Sequence, residues 1–150
     1  MREGFFCIQP DMNTSAALGQ GKSLSPELQQ AYHAALEDYQ ERGEWSSLER
    51  AHVLSQAYAW PHTYVHWRMF VFALQQRNAA EILGQFARLL LAAPGSWLGR
   101  APVGNTGGAN VGIFTPMPIP PELRAVLLTD QRSARFLGET SNRQDGPAEI

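Results

Sequence analysis

Cysteine is almost missing from this chain: Cys7 stands alone in 150 residues. A single thiol excludes an internal disulfide framework and fits a reducing compartment. Long apolar runs are missing too. Nothing approaches the roughly 18 apolar residues of a membrane span. The longest candidate, Phe86 to Ala93, is broken by Arg88 and stopped by Pro94. The apolar patch from Phe5 to Ile8 is too short for a signal-peptide core, and Pro10 and Asp11 interrupt it. Charge is sparse, at 17% of residues and a net −2, which gives no general pull toward nucleic acid or an anionic membrane. These absences predict a soluble, cytoplasmic, single-domain protein with no nucleic-acid or membrane partner. Met12 offers a second start, which would make the first eleven residues an extension.

What is present reads as helix. Residues 1–24, rich in Gly, Ser, Asn and Gln, are expected to be an irregular arm. Ser25-Pro26-Glu27 opens a first helix with a capping side chain, a proline suited to the first turn and an acid at the positive end of the dipole. Gly43 closes it. Ser46 and Glu49 match a capping box for a second helix, which ends near Ala59-Trp60 because Pro61 restricts the residue before it. A third helix, about His62 to Gln76, is apolar nearly all round, the mark of a central helix. Asn78 and Glu81 repeat the capping spacing and start a fourth, about Ala79 to Ala92. Residues 94–121 hold many Gly and Pro, yet also Val103, Val111, Phe114, Met117 and Ile119, too many large apolar groups for a linker. They predict an ordered wrap docked on the helices through those side chains. Pro121-Glu122 opens a short last helix to about Leu128, and residues 129–150 read as a flexible polar tail. The fold expected over residues 25–128 is all-α, an antiparallel four-helix bundle or two stacked helical hairpins.

The chemistry concentrates between Trp45 and Met69, which holds His52, His62 and His66 with Glu49 and Gln56. The second and third helices, turning near Ala59-Trp60, bring His52 level with Trp67 and close to His66. His62 then faces Ser55 and Gln56. His62 and His66 are one turn apart, so both imidazoles reach one helix face. Imidazoles and a carboxylate suit zinc, copper, nickel or iron. The expected ligand set is therefore His52, His62, His66 and Glu49. Gln56, Arg68, Asn105 and Asn110 are expected behind the ligands or on the loop beside them. Each residue also has a plain structural use: Glu49 as a cap, His62 as a turn residue, His66 bonded to a carbonyl, His52 paired with Glu49.

Two other readings compete with metal handling or sensing. One is a protein–protein interaction module with structural histidines. The other is an enzyme using a His/Glu acid–base pair. No nucleophile supports the last, since no serine sits in an elbow motif and Cys7 lies in the arm. The run Gly104-Asn105-Thr106-Gly107-Gly108 lacks the lysine of a phosphate-binding loop and reads as close-packed turns. Arg68 and Arg88 are expected to make salt bridges or to contact carbonyls of this loop. Partners are limited to a metal ion or a protein, and the oligomeric state is left open.

Several runs resemble a known bacterial family, domain-of-unknown-function family 3703. They are Leu48 to His52 with Gln56, Pro61-His62 through Met69, Gly84-Gln85, Gly104 through Val111, and Pro116-Met117-Pro118. The resemblance covers roughly residues 26–125. The Gly-Asn-Thr-Gly-Gly-Ala-Asn run is its most specific part. The family pattern has a glycine where this chain has Ser55. The resemblance implies no established activity. It implies a small bacterial protein of a kind sometimes encoded near heavy-metal resistance functions.

Overall fold

The computed structural model describes residues 23–97 and 102–144. Among them are six helices and no strand: α1 (Pro26–Arg42), α2 (Trp45–Ser55), α3 (Ala59–Gln75), α4 (Ala79–Trp97), α5 (Pro121–Thr129) and α6 (Gln131–Gln144). The fold is all-α, as the sequence predicts. The expected arm, with Cys7, lies outside the described residues apart from its last two positions. None of the described helices is long and apolar enough to cross a membrane.

The ends of α1 follow from its sequence. The Ser25 hydroxyl accepts from the Leu28 N–H, and Pro26 occupies the first turn. Gly43 takes the left-handed conformation and donates to the Tyr39 carbonyl. Asn78 caps α4 by accepting from the Glu81 N–H. The α1–α2, α2–α3 and α3–α4 links are a few residues each, so successive helices pack as neighbours in that order, and α5 closes against α1 and α2. The core gathers Leu28 and Tyr32 of α1, Leu48 and Leu54 of α2, and Val65 and Met69 of α3. Leu123 and Leu127 of α5 join them. Each fully buried leucine is worth about 1.5–3 kcal/mol relative to exposure.

Several boundaries differ from the sequence reading. The turn between α2 and α3 is at Gln56–Tyr58, not at Ala59-Trp60. Pro61 does not end α2; it is the third residue of α3. A first-turn N–H has no intrahelical partner, so a proline there sacrifices nothing. The expected Ser46 capping box does not form, because α2 starts one residue earlier behind Glu44 and no side chain caps it. Helix α4 continues past Pro94 to Trp97. The helix at Pro121 is not the last. Within the stretch expected to be tail, Asp130 lies just before α6 and accepts from the Ser133 N–H, while Phe136 and Leu137 pack against the core.

The wrap, described from residue 102 to Pro120, carries turns but no helix or strand. Polar groups hold most of it, where the sequence predicts docking through apolar side chains. Ile119 reaches the core, whereas Phe114 is 75% exposed. The anchors are Gln56 of α2 and Glu81, Gln85 and Arg88 of α4. Gln56 donates to the Pro102 and Asn105 carbonyls and accepts from the Gly104 N–H. Arg88 donates to the Gly108 and Val111 carbonyls, and Glu81 accepts from the Ala109 N–H. The loop lies directly on α4 where a Cβ on Gly84 would come within 2.5 Å of the Ala109 Cβ.

Candidate metal centre

Ending α2 four or five residues earlier, at Ser55, changes which residues face each other. With the turn at Gln56–Tyr58, His52 is level with His62, and His66 lies one turn beyond. His62 is therefore no turn residue. It lies on the buried face of α3 with Val65, His66 and Met69. Its N–H donates to the Tyr58 carbonyl in the first helical turn.

The three imidazoles meet in the interior, all buried. His52 Nε2 is 2.7 Å from His62 Nε2 and 3.0 Å from His66 Nε2. The ring centroids lie 4.5–4.8 Å apart. One nitrogen from each residue falls within 4.8 Å of the others, the spacing of a group able to hold a metal ion.

The far sides of the His52 and His66 rings are fixed. His52 Nδ1 lies 2.9 Å from the Asn105 carbonyl oxygen. A carbonyl only accepts, so Nδ1 carries the hydrogen and donates. His66 Nδ1 lies 2.9 Å from Gln85 Oε1. The Gln85 amide nitrogen donates to the Gly107 carbonyl at 2.7 Å, which leaves its oxygen for His66. His66 therefore also carries its hydrogen on Nδ1. In their neutral forms, both residues turn a bare Nε2 lone pair toward the centre. Such bonds to the outer nitrogen are how proteins orient metal-binding histidines.

Burial lowers all three pKa values and disfavours the imidazolium forms. At His52, His62 and His66 oppose protonation next; at His62, His66 does so. At His66 burial carries the value down to about 4, against a partial rise from the Gln85 bond.

The loop closes the centre from above. Gly107 has φ +83, and a Cβ there would meet Cδ2 and Nε2 of His52 at 2.9 Å. Only glycine both adopts that conformation and lets the backbone rest on the ring. Asn105 supports the loop from inside, donating to the Gly112 and Thr115 carbonyls and accepting from the Gly107 N–H.

The other expected residues divide. Gln56 is buried and braces the loop as described, and so is Asn105. Glu49 is outside the histidine group. Its half-buried carboxyl takes hydrogen bonds from Thr106 and Trp45, and burial raises its pKa. Asn110 is exposed on the loop, its side-chain oxygen close to Gly108. Arg68 is placed with the tyrosines of α1 and α3. It donates to the Tyr64 hydroxyl and lies over the Tyr39 ring, between α3 and α1. Gln85, Arg88 and Glu81 form the second support of the centre. Of these, Arg88 was expected at the loop, whereas the role of Gln85 was missed and Glu81 was assigned only to capping. Their signal is a polar stripe at positions i, i+4 and i+7 of an otherwise apolar helix.

Comparison with curated proteins and with solved structures finds no match. A family model does match, over residues 20–127, and its description is a protein of unknown function, DUF3703. That span takes in the three histidines, the glycine-rich loop that covers them and the helix that holds the loop down. The chain belongs to the DUF3703 family.

Proposed function

We propose that this protein binds a transition-metal ion through Nε2 of His52, His62 and His66, and that it handles or senses the metal rather than turning over a substrate. One observation carries this reading. Two Nε2 lone pairs, their tautomers fixed from behind, face each other at 3.0 Å in a buried site. Two acceptors so placed repel, and an ion between them turns that repulsion into two bonds. His62 has one Nε2 to offer. As a hydrogen donor it satisfies His52 alone, and as a ligand it completes a three-nitrogen set.

The donor chemistry fits zinc, copper, nickel or iron, which accept neutral imidazole. The spacing fits after a small opening. Bonds of 2.0–2.1 Å in tetrahedral geometry separate the nitrogens by about 3.3 Å, against 2.7 Å from His52 to His62 and 3.0 Å from His52 to His66. Three imidazoles leave the further positions to an external ligand. Handling rather than catalysis is supported by the surroundings. The Glu49 carboxyl takes hydrogen bonds from Thr106 and Trp45, which lends no support to a His/Glu acid–base pair.

The test is metal content after purification without an affinity tag, followed by competition titration with zinc, copper(I), nickel and cobalt. The wild type should retain about one ion per chain. The His52→Ala/His66→Ala double variant should retain none at the same free-metal concentration. Equal affinities in the two proteins for every metal would sink the proposal.

A further inference from the structure

Helix α4 is inside out. Its polar side chains Glu81, Gln85 and Arg88 recur at i, i+4 and i+7, and all three point inward to the loop and His66. The opposite side turns Leu83, Phe86 and Leu90 to the surface, with Leu83 at 72% and Leu90 at 64% exposure. Helix α3 does the same. His62, His66 and Met69 point inward, while Trp60, Trp67 and Leu74 recur every seven residues on the outside. The two helices pack side by side and antiparallel. Their inner faces share the loop and the histidines, so their outer faces lie together on the opposite side of the hairpin.

This outer face carries no charge. Between Ala59 and Leu91 the charged side chains on the helices are Arg68, Glu81 and Arg88. All three are taken up elsewhere, by the tyrosines of α1 and α3 and by the loop. Six large apolar groups without a charge among them offer on the order of 800 Å² per copy. That is what one partner contributes to a stable complex, and more than a monomer ordinarily leaves open.

We infer that the outer face of α3 and α4 is the interface of a homodimer, covered by the same face of a second copy. A charged partner would leave its charges unanswered here. An anionic lipid surface would require the lysines and arginines this face lacks. Two identical apolar faces related by a twofold axis meet with no like charges opposed. The seven-residue spacing on α3 suits helix-on-helix packing across such an axis.

Sedimentation velocity of the full chain at micromolar concentration tests this. The wild type should sediment with the mass of two chains. Leu83→Glu/Phe86→Glu should sediment as one chain with unchanged helical circular dichroism, because both side chains are exposed in the single copy. Leu90→Lys alone should weaken the dimer at least about tenfold. A wild type with the mass of one chain overturns the inference, whether the face is then covered by residues 1–22, by another protein or by lipid. A wild-type dimer that Leu90→Lys leaves unweakened also overturns it, since the contact would then lie on another face.

Discussion

A neutral imidazole has one hydrogen to give, and His52 and His66 give theirs away from each other. The residues behind them are therefore as important to the site as the rings. Asn105 contributes only its backbone carbonyl to His52, so its side chain acts through the fold of the loop. Gln85 contacts His66 directly. It also donates to the Gly107 carbonyl, tying one ligand to the loop that covers another. Gln85→Met keeps much of the volume and removes both bonds. Metal affinity should fall about 10–100-fold, the usual effect of losing a partner that orients a ligand. The protein should stay folded, with all three histidines present. Competition titration beside circular dichroism checks this, and unchanged affinity would show that the Gln85 bond does not orient His66. The histidines themselves were legible as a group from their spacing. Gln85 was not, because its partners Gly107 and His66 are about twenty residues away on either side and no local pattern marks them.

Elements with strong local signals formed where the sequence placed them. Ser25-Pro26 and Gly43 bracket α1, and Asn78 starts α4. The errors lie where one residue serves two purposes. Pro61 reads as a stop for the helix before it and is equally a first-turn residue of the helix after it. Choosing the first displaced the α2–α3 turn and set His52 opposite Trp67 instead of His62. Helix α6 was hidden for another reason. Its sequence is polar, and its start depends on tertiary contacts of Asp130. That carboxylate accepts from Ser133, from the Tyr58 hydroxyl on the far side of the core, and from the Ser25 N–H at the start of α1. Burial works to raise its pKa, but these hydrogen bonds outweigh burial and hold it below the usual carboxylate range. One side chain thus joins the beginning and the end of the helical domain. Asp130→Ala should cost about 1–2 kcal/mol, the upper range for a lost cap. The thermal midpoint should drop while metal affinity is unchanged. A variant as stable as the wild type would mean that α6 holds its place without the cap.

For the molecule as a whole, three buried imidazoles set a dependence on pH. His66 is held near 4, and His52 and His62 are held well below their usual value, all by burial first. Unfolded histidine titrates near 6.5, so between the two values the unfolded chain binds more protons than the folded one. The stability of the metal-free protein is therefore fully present above about pH 6.5 and is lost as pH falls toward the folded values. The slope is on the order of 1 kcal/mol per pH unit for each histidine. Urea denaturation of chelator-treated protein at pH 7 and pH 5 measures it. Equal stability at both would contradict the burial of neutral rings. The glycine-rich loop has a consequence of another kind. It covers His52 with Gly107 and holds the same ring through the Asn105 carbonyl, so the segment that hides the centre also aims one of its nitrogens. An ion bound there would leave only when that segment lifts, and lifting it would also free His52 to turn away. Escape and loss of a ligand would be a single event. The residence time of the metal would then follow the opening rate of the loop rather than the strength of any one bond.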